Sequence, residues 1–458
     1  MYRELQPLRE ALSAELRAAL PPVSPGVDLE QLLQAYLDRL TMYVGCDVAD
    51  QTFTLYAQNA GGEELGHQSE HPNQPRGFER AWNWLEELRS QHHLRIVLIA
   101  AETTGIFYWA WWDYLAGRPN LARVLYNPRT TEHMTEVLSK KVRNELVDAY
   151  CLAEQVRLGA TPEVILIEDP DLQTARFCSR AARDLAQQIS RKKTQLRALL
   201  RAYNPALAQV FPGRQFHHPA VYALLKHYVF PQEFVAAGVE KIRVILEAHC
   251  RSAFGQQQAG QLVELCAQVL SRPIGQEVIR ERIRQLCEDV STARQRQKEF
   301  LRTGYRLIED RIETRLLRSS VGAGPSNTLA LVSEVGCADR FPDGAHLASF
   351  LGITTSKHIS GTTVYSSKHI TKQGPPNARY AAVMLALHLS QRVPKYRKMY
   401  QTIKARKPPR KGHYVALVAI ARDFVTNVLY DMWRYQRPFF VKVEDYRQYR
   451  RQHPRPKV

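Results

Sequence analysis

Tyr43-Val44-Gly45-Cys46-Asp47-Val48-Ala49 is a short apolar run that ends in a carboxylate, and the pattern around it decides the fold. Its β-branched and aromatic residues favour a strand, and Gly45 eases the approach of another backbone. Runs of the same kind lie at Met42 to Val48, Phe53 to Ala57, Arg95 to Ala101 and Ala122 to Tyr126. Between the later ones, Gly77 to Gln91 and Phe107 to Ala116 are helical in pattern and rich in Trp, Leu and Arg. Two strands with a short connection, followed by alternating strand and helix, predict a mixed sheet flanked by helices.

Outward from this region the pattern changes. Residues 1–40 read as an amphipathic helical extension, broken by Pro21-Pro22-Val23-Ser24-Pro25-Gly26, and no chemistry is assigned to it. Asp171 to Asn204 and Ile274 to Glu313 are nearly free of Gly and Pro. They carry apolar stripes at helical spacing, Leu185, Ile189, Leu196, Leu199 and Leu200 in one and Ile279, Ile283, Leu286 and Val290 in the other. These predict long helices that pack either within one chain or as a coiled coil between chains. His217 to Leu270 reads as mainly helical. After Arg318, Val321-Gly322-Ala323-Gly324-Pro325-Ser326 leads into an apolar helix, and a Gly-x-Gly turn there can present backbone N–H groups to a phosphate. The expected organisation is α/β plus α: an extension over 1–40, a mixed-sheet domain over 41–168, a helical or coiled-coil region over 169–313, a mainly helical domain over 314–440 and a basic tail over 441–458.

The chain has 458 residues with a formal net charge of +18, a balance that favours a polyanionic partner such as nucleic acid. From Gln391 to Val458 there are 18 Lys or Arg against 4 Asp or Glu, with Tyr396, Tyr400, Tyr414, Tyr446 and Tyr449 interleaved. The basic candidates for nucleic-acid contact are Lys372, Arg379, Lys404, Arg406, Lys407, Arg410 and Lys411. The seven cysteines are scattered without a C-x-x-C pair, which argues against a zinc ribbon or a disulfide framework. No apolar run approaches a membrane span and no signal-peptide pattern opens the chain, so the expected location is the cytoplasm.

Four carboxylates stand out. Asp47 closes the first strand, Glu102 closes a later one in Ile99-Ala100-Ala101-Glu102-Thr103-Thr104-Gly105, and Glu145 and Asp148 lie three apart in Arg143-Asn144-Glu145-Leu146-Val147-Asp148-Ala149. A separation of three places two side chains on one face of a helix. Convergent carboxylates suit magnesium, a hard cation that prefers oxygen ligands, and paired ions serve phosphodiester chemistry. A strand-end Asp also caps turns and a helical Glu–Asp pair is also a common solvated face, so spacing alone leaves both readings open.

Val-Gly-x-Asp, a strand ending in Glu-x-Thr-Gly, a strand ending in Asn127-Pro128, and then Asn-Glu-x-x-Asp-Ala together resemble the RuvC-like, RNase H-fold domain of the bridge-RNA-guided DEDD insertion-sequence transposases. The second half resembles that family's C-terminal transposase domain through Gly336-Cys337-Ala338-Asp339-Arg340-Phe341, Leu347-Ala348-Ser349-Phe350-Leu351-Gly352, Ser360-Gly361 and Ile370-Thr371-Lys372-Gln373-Gly374-Pro375-Pro376-Asn377-Ala378-Arg379. The resemblance runs from about Met42 to Gly159 and from about Leu316 to Tyr435. It departs at Glu145, where the family usually has Asp; a glutamate keeps the oxygen ligand and lengthens its arm by one methylene.

The resemblance implies a DNA transposase or recombinase whose metal ligands are Asp47, Glu102, Glu145 and Asp148. The ion would be Mg2+, with Mn2+ as a substitute, and Ser360 would be the catalytic serine. Ser356, Ser366, Ser367 and Tyr365 are rival nucleophiles without the following glycine; His358 lies near enough to act as a base, although a lone loop histidine is more often a surface residue. Lys372 and Arg379 would neutralise the phosphate as charge develops. The implied partners are donor and target DNA and a structured guide RNA, in a homodimer or homotetramer close to a prokaryotic nucleoid. Two other classes fit the same residues: a RuvC-like junction nuclease that activates water, and a non-catalytic nucleic-acid-binding protein with a decayed metal site.

Overall fold

The computed structural model describes residues 4–19, 28–103, 106–126, 144–160, 169–250, 254–270, 274–360 and 363–440, with isolated positions at 128, 131, 134, 138 and 448. The chain divides into two compact units, 1–166 and 167–458. No helix among the described residues is long and apolar enough to cross a membrane.

The first unit opens with helices α1 (Leu5–Ala19) and α2 (Leu29–Arg39) and continues into strands β1 (Thr41–Val48), β2 (Thr52–Gln58) and β3 (Glu64–Pro72). Helix α3 (Pro75–Gln91), strand β4 (Ile96–Glu102), helix α4 (Tyr108–Leu115), strand β5 (Leu121–Tyr126) and helix α5 (Glu145–Arg157) follow. The sheet order is β3-β2-β1-β4-β5. β1 runs antiparallel to β2 and parallel to β4, and β4 runs parallel to β5. This is the mixed, helix-flanked sheet of an RNase H-like domain.

Alternation along β1 sorts its side chains between two cores. Met42, Val44, Cys46 and Val48 join Phe53, Leu55, Trp82 and Trp111 on the face covered by α3 and α4. Tyr43 joins Leu98, Leu152 and Val156 on the α5 face, together with Leu5, Leu12 and Leu37 of the first two helices. The N-terminal extension is therefore part of the fold: Glu4 accepts hydrogen bonds from the Arg123 backbone and guanidinium, both at 2.8 Å at their shortest, and Arg9 pairs with Asp38 at 2.5 Å.

In the second unit, α6 (Pro170–Tyr203) is followed by α7 (Ala206–Val210), α8 (Pro219–His227), α9 (Pro231–Ala248), α10 (Gln256–Ala267) and α11 (Gln276–Arg306). Lys192 pairs with Asp289 at 2.5 Å and Gln297 donates to the Ala182 carbonyl at 3.2 Å, a register that makes α6 and α11 antiparallel. Their stripes bury Ile189, Leu196 and Leu200 with Ile283, Leu286 and Val290 in one core. The two stripes thus share a core within this chain. The second long helix stops at Arg306 and resumes as α12 (Ile312–Arg318).

A separate core gathers α12, α13 (Pro325–Val335), α14 (Gly344–Phe350), α15 (Pro376–Arg392), α16 (Pro394–Ala405) and α17 (Pro409–Phe424). Between α14 and α15 lies an antiparallel hairpin of β6 (Thr355–Ser360) and β7 (Thr363–Ile370). Neither β3 nor this hairpin is expected from the apolar pattern, because both are made largely of polar residues.

Candidate active site

Strand parity places the first two carboxylates. Gly45 and Asp47 share the face of β1 opposite Cys46, and Glu102 shares the face of β4 that carries Leu98 and Ala100, so both acids point to the α5 side. The β1–β4 pairing reaches Cys46 opposite Ala101, so Asp47 and Glu102 are the next residues on adjacent parallel strands. The other pair arrives on α5. Asn144 caps this helix by accepting the Val147 N–H at 2.8 Å, which orders the first turn containing Glu145 and Asp148. Carboxylates there also face the positive end of the helix dipole.

Gly45 lets α5 come down onto the sheet. A Cβ at this position would lie 1.8 Å from the Ala149 carbonyl oxygen and 2.6 Å from the Ala153 nitrogen. Ala149 and Ala153 are themselves buried small residues packed with Tyr56. The helix is therefore seated backbone against backbone, one strand residue pair away from Asp47.

The electrostatics accord with acids placed near one another. Burial raises the Asp47 carboxyl from its ordinary value to about 7, and the negative charges of Glu102, Asp148 and Glu145 push in the same direction. Neighbouring Cys46 is raised well above the ordinary thiol range, first by burial and then by the charge of Asp47. Thr54, directly opposite Asp47 on β2, donates its hydroxyl to Glu145 at 3.2 Å. Thr54 had no sequence signal of its own, because its role depends on the β1–β2 register.

Among the described residues, no group of three or more His, Cys, Asp or Glu is arranged to hold a metal ion. The donor chemistry nevertheless fits a hard divalent cation: these are oxygen ligands, and their mutual repulsion falls when positive charge enters. The four acids are thus electrostatically coupled without forming a closed cage.

In the second unit, Ser360 is the last residue of β6, opposite Thr363. Gly361 lies outside the described residues, as do the side chains of 356–368, which include Ser360 and its rivals Ser356, Tyr365, Ser366 and Ser367 as well as His358. Below the hairpin, two segments touch closely. A Cβ on Gly352 (φ +65°) would lie 1.9 Å from the Gln373 carbonyl oxygen, and one on Gly374 (φ +81°) would lie 1.8 Å from that of Phe350. Lys372, also at positive φ, donates its N–H to the Gly352 carbonyl at 3.2 Å.

Arg379 Nη1 donates to the carbonyls of Leu351 and Gln373, both at 3.2 Å, and of Gly374 at 3.5 Å. Burial, and then the charge of Arg183, lower its basicity. The side chain expected to meet phosphate is thus a clamp on the base of the hairpin. Lys404, Arg406, Lys407 and Lys411 are exposed around the turn between α16 and α17. The side chain of Arg410 and most of 441–458 lie outside the described residues.

Two family models match the chain. A DEDD-type transposase model of the IS110 group covers residues 44–205, and the transposase IS116/IS110/IS902 family covers 314–401. The chain belongs to the IS110 family of transposases. The first match contains all four acids and the second contains Ser360, Lys372 and Arg379. The chain is also similar to the insertion element IS110 uncharacterized 43.6 kDa protein of Streptomyces coelicolor (strain ATCC BAA-471 / A3(2) / M145). The two are 26% identical over 256 residues, covering 55% of this chain and 60% of that protein. The DEDD designation implies use of a divalent metal, which accords with the oxygen donors at the sheet edge.

Proposed function

We propose that the protein is a divalent-metal-dependent DNA transposase that excises and inserts a mobile element through a serine-linked intermediate, guided by a structured non-coding RNA. The observation that supports this most is the convergence of Asp47, Glu102, Glu145 and Asp148 on one face of an RNase H-like sheet. Mg2+, or Mn2+ in its place, would supply Lewis-acid activation and charge neutralisation for phosphodiester chemistry when bound there.

The protein residues have separate duties in this reading. Asp47, Glu102, Glu145 and Asp148 hold the ion, Thr54 orients Glu145, and Gly45 keeps α5 against the sheet. The Ser360 hydroxyl attacks the scissile phosphorus; an Oγ–P bond forms and the bond from phosphorus to the leaving nucleoside oxygen breaks. The serine proton passes through a base to that oxygen. Attack by the hydroxyl of a second strand reverses these changes, restoring Ser360 and joining the strands. Donor and target DNA are the substrates, base pairing to the RNA supplies sequence discrimination, and protein contacts to phosphate fix register. Holding two duplexes together favours a homodimer or homotetramer, and a prokaryotic nucleoid is where such substrates reside.

The test uses labelled donor and target DNA with the flanking RNA and Mg2+, resolved under denaturing conditions. Wild type yields a protein–DNA adduct and Ser360→Ala yields none. Cleavage without an adduct in both proteins would replace this reading with a water-activating nuclease.

A further inference from the structure

Helix α4 contains the sequence Tyr108-Trp109-Ala110-Trp111-Trp112-Asp113-Tyr114-Leu115. Its tryptophans divide between two environments. Trp111 and Trp112 are buried, with Trp111 stacked on Phe53 at a centroid distance of 4.9 Å. Trp109 is 50% exposed, beside Phe107 at 39% and Ile106 at 62%. The Trp109 ring stands edge-on to Tyr108, at 6.4 Å and 89°, and its backbone N–H donates to the Ile106 carbonyl at 3.2 Å. The exposed apolar group is therefore part of an ordered helical start.

It is also fixed beside the acidic cluster. Asn73 donates from one amide nitrogen to the carbonyls of Ala49 and Phe107, each at 3.0 Å. Ala49 is two residues past Asp47, and Ile106 is four residues past Glu102. The segments leaving two acid-bearing strands are thus joined by one side chain, and the apolar group stands on one of them.

We propose that Ile106, Phe107 and Trp109 form a stacking shelf for an unpaired nucleobase of the DNA strand whose phosphate enters the acidic site, with Trp109 as its main plane. This rests on the functional reading above. Four convergent carboxylates repel a phosphodiester until cations fill them, so a contact that does not depend on charge helps to hold a strand at this edge. An aromatic face supplies it for any base, because every base has a π-face. The shelf is a positioning surface: it touches the strand, and the acids serve the phosphate.

The test uses the full-length protein with its flanking RNA and a single-stranded donor oligonucleotide carrying 2-aminopurine beside the cleavage position. Binding is read by fluorescence in Ca2+, and single-turnover cleavage is read in Mg2+. Wild type, Trp109→Phe and Asp47→Asn should quench the probe. Trp109→Ala should lose quenching, bind about tenfold more weakly, and show a raised DNA half-saturation with unchanged Mg2+ half-saturation. Phe107→Ala should fall between. Unchanged quenching and DNA half-saturation in Trp109→Ala would overturn the shelf, as would loss of a nucleic-acid-free dimer in sedimentation, which would make this patch an interface between copies. Quenching retained in a wild type that never cleaves would support the shelf while removing the functional reading beneath it.

Discussion

Gly45 and Asp47 lie two residues apart on β1, and the site depends on both. With the Ala149 carbonyl oxygen 1.8 Å from where a Cβ would stand, Gly45→Ala cannot be absorbed by a side-chain rotation. It should cost about 2–3 kcal/mol in urea unfolding, at the upper end for overpacking, and should abolish metal-dependent activity. Asp47→Asn should act in the opposite direction on stability. The folded-state value near 7 lies above the ordinary 3.8, so the native state binds the proton more tightly and wild-type stability falls as pH rises between these values. At about 1.4 kcal/mol per unit, roughly 4 kcal/mol is at stake above pH 7. Asp47→Asn should therefore raise the melting temperature at pH 8 without metal, flatten its dependence from pH 4 to 8, and remove the stabilisation by Mg2+; a variant that melts like wild type across this range would refute the coupling. Asp47 and Glu102 were legible in the sequence because each ends an apolar run. Thr54 was not, since its place opposite Asp47 follows from a register that periodicity does not encode, and the carbonyl clamp of Arg379 required two distant segments to be brought together.

At the level of elements, legibility followed the strength of the apolar signal. The strands that carry the acids are hydrophobic on both faces and are read easily, as are the two long helices with their leucine and isoleucine stripes. Glu64–Pro72 and the Thr355–Ile370 hairpin alternate polar residues, and they become strands through pairing with a neighbour. The break between Arg306 and Ile312 was also hidden, because the interrupting Leu307 to Arg311 contains neither Gly nor Pro. The hairpin's position depends on the close contact between the Gly352 and Gln373 segments and on the guanidinium that ties them. Arg379→Ala should unfasten the carbonyls of Leu351, Gln373 and Gly374, increase amide exchange in β6 and β7, and reduce adduct formation at least tenfold while leaving nucleic-acid affinity within about twofold, since one charge-assisted bond is worth on the order of 1.5–3 kcal/mol. Loss of affinity with unchanged hairpin exchange would instead make Arg379 a phosphate contact.

For the whole molecule, the excess of 63 Lys and Arg over 45 Asp and Glu implies strong dependence of nucleic-acid binding on salt. Replacing Lys404, Lys407 and Lys411 together with Ala should reduce the slope of log affinity against log salt by about 2–3, at roughly 0.7–0.9 per phosphate contact; an unchanged slope would assign those exposed cations another role. DNA is the polyanion that the proposed function assigns to this charge, and the edge of the five-stranded sheet is its proposed metal-dependent centre for strand cleavage. The direct measurement is the single-turnover rate of donor-DNA cleavage across a Mg2+ titration, in wild type and in Asp47→Asn, with the flanking RNA present and DNA binding measured in parallel. Cleavage should saturate with Mg2+ in wild type and fall by at least about a thousandfold in Asp47→Asn with DNA affinity preserved. Cleavage in Asp47→Asn within threefold of wild type, or a wild-type rate indifferent to Mg2+, would contradict it.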